Sequence, residues 1–168
     1  MLKGKAFKLG DNISTDDIVP GRLAHLRSNL PELAKHVLED AAPGLAQAIR
    51  PGDFIVAGSN FGLGSSREHA PLVIKLAGVS AVLAQSSARI FFRNSINVGL
   101  PVLICDTDRI GDGDELEVDM ETGSVKNLTN GISLSFAPIP KVMLDILNEG
   151  GLVAYIKKYG DFGKADSR

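Results

Sequence analysis

Two glycines, two serines and an arginine stand within six consecutive residues near the middle of the chain. Gly62 and Gly64 let the backbone adopt positive φ and approach a ligand closely. Ser65 and Ser66 follow with two hydroxyl groups, and Arg67 adds a guanidinium fork that suits a carboxylate or a phosphate. This combination of residue types predicts a loop that binds an anionic group.

The segments around this loop are predicted to place it at one edge of a sheet. Residues 53–58 have the continuous apolar pattern of a buried strand, and Ser65 or Ser66 can cap a helix that reaches Leu76. The first N–H groups of a helix and its positive dipole end attract anions. Open α/β sheets also bind ligands beyond the carboxyl ends of their strands. The ligand is therefore expected at the loop.

The chain is predicted to form one α/β domain over residues 1–168. Strands that alternate with helices imply right-handed crossovers and a mostly parallel sheet flanked by helices. Further strands of the parallel sheet are predicted over 3–9, 79–84 and 101–105. Further helices are predicted from a cap at Ser86 or Ser87 to about Val98, and over 31–40, 41–50, 141–148 and 151–158. Alternating residues over 114–120 and 125–128 indicate a C-terminal β-hairpin region, to which 132–136 adds a strand.

Several charged residues outside the loop are assigned structural roles. Val73 follows His69 by one helical turn, so His69 is expected to pack or to form structural hydrogen bonds. Arg89 and Arg93 lie four residues apart on one helix, and a solvated or salt-bridged face is expected there. The acidic run 106–121 is predicted to be a solvated hairpin edge that discourages pairing with other strands.

The composition excludes several classes of protein. The 168 residues include 18 Lys and Arg against 20 Asp and Glu, and the resulting net charge of −2 argues against a nucleic-acid-binding protein. One cysteine, Cys105, cannot form an internal disulfide or anchor an iron–sulfur cluster alone. No apolar run approaches the roughly 20 residues of a membrane span. We expect a reduced, cytoplasmic protein that binds no metal alone and has neither nucleic acid nor membrane as a partner.

Known phosphate-binding and nucleophile motifs do not fit the loop. The third glycine of the dinucleotide fingerprint would stand at Arg67, and the chain contains no Gly-Lys-Ser/Thr triplet of a Walker loop. A nucleophile elbow would need glycine where Arg67 and Glu68 stand. Two alternatives remain open beside a catalytic loop. One is a capped helix start whose glycines serve packing, and the other is a module that binds anions without catalysis.

The run Gly58–Ala70 resembles the signature of the aconitase-type swivel domain in the small-subunit family of 3-isopropylmalate dehydratase. The segment Gly10–Arg22 resembles the N-terminal motif of that family, and Pro51–Ala57 and Gly78–Pro101 resemble its next two blocks. The resemblance is collinear over nearly the whole chain, and its Gly-Ser-Ser-Arg-Glu-His core is specific.

The resemblance implies a swivelling β/β/α-type domain and a hydro-lyase that acts on hydroxy di- or tricarboxylates. It implies isomerisation of 2- and 3-isopropylmalate by dehydration and rehydration, a step of leucine biosynthesis. It further implies a large partner subunit, in a heterodimer or heterotetramer. By resemblance this partner carries a 4Fe–4S cluster, whose open iron polarises the hydroxyl group that leaves.

Position by position, the resemblance makes Ser65 the catalytic base and Asp16 an acidic residue close to the reaction. Ser66 and Arg67 match contacts to substrate carboxylates, and Arg27 is the candidate second arginine. A helix N-terminus and a neighbouring guanidinium would stabilise the Ser65 alkoxide. From the residues alone, Asp16 is equally a turn residue or a helix cap, and Arg27 is equally an exposed loop arginine.

The chain departs from the family pattern in two places. Leu63 stands where many members carry cysteine, which we interpret as tolerated packing. Residues 23–28 read Leu-Ala-His-Leu-Arg-Ser, whereas relatives often have Tyr-Leu-Arg-Thr directly after the preceding arginine. Because this loop sorts substrates in the family, homoaconitate, citramalate-type and dimethylmalate-type substrates stay open beside isopropylmalate.

Overall fold

The computed structural model describes residues 1–160, and the strands in this range form one mixed sheet. The strands are β1 (Leu2–Lys8), β2 (Phe54–Val56), β3 (Ala81–Ala84), β4 (Val102–Ile104), β5 (Glu115–Asp119), β6 (Ser124–Asn127) and β7 (Ser133–Ser135). Their order across the sheet is β4-β3-β2-β1-β5-β6-β7. Strands β1 to β4 pair in parallel, whereas β5 pairs antiparallel with β1 and with β6, and β6 pairs antiparallel with β7.

Helices occupy most of the long connections between the strands. They are α1 (Thr15–Ile18), α2 (Leu30–Ala34), α3 (Leu45–Ala48), α4 (His69–Leu76), α5 (Arg89–Val98), α6 (Lys141–Asn148) and α7 (Leu152–Tyr159). Two 3₁₀ segments, Gly21–Ser28 and Thr107–Arg109, complete the regular structure. Among the helices of residues 1–160, none combines the length and the apolarity that a bilayer crossing requires.

The central strands are buried on both faces because successive side chains point to opposite sides of the sheet. Ile55 and Val82 face the helices of the N-terminal two thirds of the chain and belong to the larger core cluster. Val56 and Leu83 face the other way and share a second cluster with Val118 of β5. The parallel and antiparallel halves therefore share one core.

The sheet curls until the chain beyond β7 returns to β4. The backbone N–H of Ala137 donates to the carbonyl oxygen of Ile104 at 2.9 Å. Inside the curl, the Lys8 ammonium donates to the carbonyl oxygens of Thr107 and Ile110. The three C-terminal helices of the described range form a smaller cluster around Tyr155, whose side chain is fully buried.

The prediction of an α/β domain with a C-terminal hairpin region is confirmed, with several corrections. The sheet is parallel in only one half, because β1 also pairs with β5. The prediction that the acidic run 106–121 forms a sheet edge is therefore wrong, since β5 lies between β1 and β6. Its acidic side chains alternate with the buried Leu116 and Val118. The last part of the predicted domain, residues 161–168, lies outside the described residues.

Several predicted helices are shorter than expected. The helix predicted over 41–50 covers only Leu45–Ala48, and the helix predicted from a cap at Ser86 or Ser87 begins at Arg89. The helix predicted over 31–40 ends at Ala34, and Leu38 adopts a positive φ of 56° that is incompatible with a continuing α-helix. The helix predicted from a cap at Ser65 or Ser66 begins at His69 instead. Its N-cap residue, Glu68, makes no side-chain capping hydrogen bond. Both serines thus belong to the loop that precedes the helix.

Candidate functional site

The glycine- and serine-rich loop lies at the carboxyl end of β2, between the segments that follow β1 and β3. From one side, the N–H of Gly62 donates to Ile13 O at 2.7 Å and the N–H of Thr15 donates to Leu63 O at 2.8 Å. From the other side, the N–H of Ala88 donates to Phe61 O at 2.9 Å. Three successive strand ends of the parallel half thus hold one loop, as open α/β sheets do at their ligand sites.

The loop contains two glycines with positive φ, 82° at Gly62 and 110° at Gly64. A Cβ atom on Gly62 would overlap the Phe91 ring, and one on Gly64 would lie 3.1 Å from Thr15 Oγ1. Both glycines therefore allow the loop to pack closely against neighbouring segments. At Gly62 this close packing places the first turn of α5 against the loop.

A cavity of about 220 Å³ opens between this loop and α5. Its lining residues come from α1, from the loop and from the first turns of α5, and they are Thr15, Gly62, Gly64, Ser65, Ser66, Arg67, Ala88, Arg89, Ile90, Phe91 and Asn94. The structure thereby brings together five of the predicted site residues in one place. A volume of this size holds a small organic acid.

The hydroxyl groups of Ser65 and Ser66 are exposed at the cavity and have no hydrogen-bond partner within residues 1–160. The backbone around them is fixed, because Ser65 O accepts from Thr15 Oγ1 at 3.1 Å and from the N–H of Arg67 at 2.9 Å. Since α4 begins only at His69, after Glu68, Ser65 does not cap this helix as predicted. Both hydroxyls are free to bind a ligand.

Arg67 is held by two groups of the protein. Its Nη2 lies 2.6 Å from Oδ1 of Asp16, and its Nη1 donates to Val19 O at 3.0 Å. Asp16 lies in the first turn of α1, whose cap is Ser14, so Asp16 is not the capping residue. The side chain of Asp16 is 69% exposed and that of Arg67 is 29% exposed. The pair therefore sits at the rim of the cavity.

Arg27 does not line the cavity. It lies in the 3₁₀ segment Gly21–Ser28, and its Nε donates to Ala24 O at 3.0 Å. Its charge nevertheless acts on the neighbouring helix α4. Partial burial lowers the pKa of His69 below its usual value, and the charges of Arg67 and then Arg27 lower it further.

Three polar residues that line the cavity were not predicted to belong to the site. Thr15 fixes the loop through its hydroxyl, and the turn-forming residues around it gave no specific signal. Arg89 was assigned to a solvated or salt-bridged face; it is exposed, but it also lines the cavity together with Asn94. Their positions depend on how α5 packs against the loop, which helix periodicity does not reveal.

The described part of the chain offers no set of ligands for an iron–sulfur cluster. Within residues 1–160, no group of three His, Cys, Asp or Glu side chains is placed to hold a metal ion. Cys105 is buried, and burial raises the pKa of its thiol to about 11, which disfavours the thiolate that a metal ligand requires. Cys105 belongs to the second core cluster.

The chain is similar to proteins of known name over almost its whole length. The family model of the aconitase C-terminal domain matches residues 12–106. The chain is 69% identical over 160 residues to 3-isopropylmalate dehydratase small subunit 2 of Archaeoglobus fulgidus, covering 95% of this chain and 97% of the relative. It is 61% identical over 165 residues to small subunit 1 of Thermotoga maritima, covering 98% and 99%.

The fold is similar to that of a solved structure. The crystal structure of 3-isopropylmalate dehydratase from Methanocaldococcus jannaschii matches with a TM-score of 0.89 and 43% sequence identity. The match covers 94% of this chain and 93% of the solved chain.

Proposed function

Because the chain belongs to the aconitase C-terminal domain family, and within it to the 3-isopropylmalate dehydratase small subunits, we propose that it is the small subunit of a hydro-lyase. The enzyme isomerises 2- and 3-isopropylmalate by removing water and adding it back the other way, in leucine biosynthesis. The observation that carries this proposal is the cavity wall on which Ser65, Ser66 and Arg67 stand side by side. These groups suit a hydroxy acid as substrate, because they can bind its carboxylate and remove a proton from it.

In the proposed mechanism, Ser65 removes the proton on the carbon next to a substrate carboxylate. Its hydroxyl is exposed and unpartnered in the described residues, so it can reach that proton. A nearby cation favours the alkoxide over the neutral hydroxyl, and Arg67 lines the same cavity. Ser66 and Arg67 bind the carboxylate itself, since a guanidinium offers two parallel donors.

Asp16 is assigned a role through Arg67 in this mechanism. The 2.6 Å ion pair fixes one end of the guanidinium, and the hydrogen bond to Val19 O fixes another. A guanidinium held from two sides loses little conformational freedom when a substrate arrives. Asp16 is thus a positioning residue. Arg27 remains a candidate for substrate contacts from outside the cavity.

A large subunit completes the proposed enzyme. When bound there, a 4Fe–4S cluster would polarise the leaving hydroxyl. We place it on the large subunit because this sequence has one cysteine and residues 1–160 contain no group of three possible metal ligands. The two subunits form a heterodimer or a heterotetramer. The cytoplasm is the proposed location, where a lone thiol such as Cys105 stays reduced.

The proposal is tested by reconstitution. The purified chain alone is expected to convert neither isopropylmalate, whereas adding a matching large subunit under anaerobic conditions restores turnover. Homoaconitate, citramalate and dimethylmalate are assayed in parallel, and a preference for one of them would replace isopropylmalate as the substrate. Turnover by the isolated chain would contradict the proposal, and anion binding without any turnover in the complex would favour a non-catalytic module.

The role of Ser65 is tested in the same complex. Ser65→Ala is expected to lower kcat by about 10²- to 10⁴-fold, the usual contribution of a general base. Ser133→Ala is the matched control, because Ser133 is also exposed with an unpartnered hydroxyl within the described range, but lies on β7 away from the cavity. Wild-type kcat in the Ser65 variant would remove this serine from the base role.

A further inference from the structure

Two guanidinium groups line the cavity, and their surroundings differ. Arg67 has an acidic partner, since its Nη2 lies 2.6 Å from Oδ1 of Asp16. Arg89 has no acidic partner and no hydrogen bond of its side chain within residues 1–160. Of the two charged residues that line the cavity, Arg67 and Arg89, only Arg89 has no acidic partner within residues 1–160.

The position of Arg89 on its helix is electrostatically unfavourable without an anion. It is the first residue of the ten-residue helix α5, whose N-cap, Ala88, makes no side-chain capping hydrogen bond. The first turn of α5 contains no acidic residue. A cation at this end of a helix is repelled by the positive end of the helix dipole. An anion in the cavity would be attracted by the guanidinium and by the helix end together.

The proposed substrate carries two carboxylates, and two arginines from different segments of the chain line the cavity. Ser66 and Arg67 lie on the loop wall, and Arg89 lies on the α5 wall. On the basis of the proposed function, we infer that Arg89 is a second substrate-binding residue. It pairs with the substrate carboxylate that Arg67 does not bind. The arrangement selects dicarboxylates over monocarboxylates of the same shape.

The matched control lies one helical turn away. Arg93 is on the same helix, is exposed like Arg89 and has no ion pair among the described residues, but it does not line the cavity. A general effect of positive charge on α5, including an effect on subunit assembly, would appear in variants of both arginines. An effect on the ligand would appear only in variants of Arg89.

The inference is tested by ligand binding to the assembled two-subunit protein, measured by calorimetry. The probes are isopropylsuccinate, which has both carboxylates, and two compounds that each lack one of them, 4-methylpentanoate and 2,3-dimethylbutanoate. Arg89→Gln is expected to weaken isopropylsuccinate binding by about 10- to 100-fold, as for a lost charge-assisted hydrogen bond. One of the two monocarboxylates is expected to bind the variant and the wild type equally. Arg89→Lys should restore part of the lost affinity, and Arg93→Gln should change it less than about twofold.

Two results would overturn the inference. Equal binding of isopropylsuccinate to Arg89→Gln and the wild type would show that Arg89 does not contact the ligand. Equal weakening of all three probes would show that Arg89 acts on the cavity as a whole. Turnover of isopropylmalate by the wild-type complex is measured separately, and its absence would reject the proposed function while the ratio of binding constants still reports on Arg89.

Discussion

Asp16 and Arg67 lie at opposite ends of one ion pair at the rim of the cavity. Because Asp16 is 69% exposed, water screens the pair and its contribution to stability is small. Its geometry matters more, since Arg67 is aimed by Asp16 on one side and by Val19 O on the other. The neighbouring Asp17 does different work, because it closes a capping box with Ser14 at the start of α1.

These two adjacent aspartates predict opposite phenotypes. Asp16→Asn is expected to lower kcat/KM by roughly 10- to 100-fold through a misplaced guanidinium. The same change should alter the free energy of unfolding by less than about 1 kcal/mol. Asp17→Asn should instead destabilise the chain by about 0.5–1 kcal/mol with kcat/KM retained, since it weakens a helix cap. Urea unfolding and steady-state kinetics on both variants check the pair, and exchanged outcomes would contradict the assignment.

The pKa of His69 reports on the charge of Arg27. Arg27→Gln is expected to raise that pKa, because one of two neighbouring cations is lost. In the folded wild type the pKa lies below the unfolded value of about 6.5, so acidification through that value costs stability. The variant should therefore lose less stability between pH 7 and pH 5. Imidazole resonances followed by NMR against pH measure the pKa, with Arg93→Gln as the control; an unchanged His69 titration would place Arg27 farther away.

At the scale of elements, the loop 58–66 is fixed by its neighbours on both sides. The segment after β1 and the segment after β3 each form backbone hydrogen bonds with it. Gly62 is tightly packed, because the Phe91 ring of α5 occupies the space that a Cβ atom would take. The distance between the two walls of the cavity is therefore set by this contact.

Replacing this glycine should disturb the site and the fold together. Gly62→Ala is expected to destabilise the chain by about 2–4 kcal/mol, from its positive φ and the overlap with Phe91. Gly10→Ala is the matched control, since a Cβ atom there meets nothing within 4 Å and its φ is not positive. The control should change the free energy of unfolding by less than about 0.5 kcal/mol. Similar urea midpoints for both variants would refute the packing role of Gly62.

The loop could be predicted from sequence because its signal is local. Glycine, serine and arginine types identify Ser65, Ser66 and Arg67 without any knowledge of the fold. Arg89 could not be found in this way, because its place at the cavity depends on the packing of α5 against the loop. The start of α4 was also misplaced, since a serine before an apolar run is a good cap only if its backbone adopts the cap conformation.

At the scale of the whole molecule, the parallel pairing of β1 to β4 was predicted from the alternation of strands and helices. The pairing of β1 with β5 was not, because Leu2 and Val118 are distant in sequence and no short pattern encodes their contact. The curl of the sheet could not be predicted for the same reason. The backbone hydrogen bond from Ala137 N–H to Ile104 O depends on the pairing of every strand in between. Long-range pairing was the part of the fold that the sequence did not reveal.

The buried thiol of Cys105, which follows β4, provides a test of how tightly the curled sheet is closed on its β4 side. With a pKa of about 11, only about one molecule in a thousand carries the thiolate at pH 8. The native chain is therefore expected to react with a disulfide reagent such as Ellman's reagent far more slowly than a free thiol. Labelling should reach one thiol per chain in urea, at the concentration where the fold is lost. Rapid labelling without denaturant would show that the β4 side of the sheet is open.

The central place of β1 has a consequence during synthesis. β1 is synthesised before the other strands, and one of its two neighbours, β5, is made more than a hundred residues later. At about 5–20 residues per second, roughly 6 to 23 s separate the synthesis of these two strands. During that time β1 can pair with β2, but its other edge has no partner strand. The sheet can therefore be completed only after β5, β6 and β7 have been made.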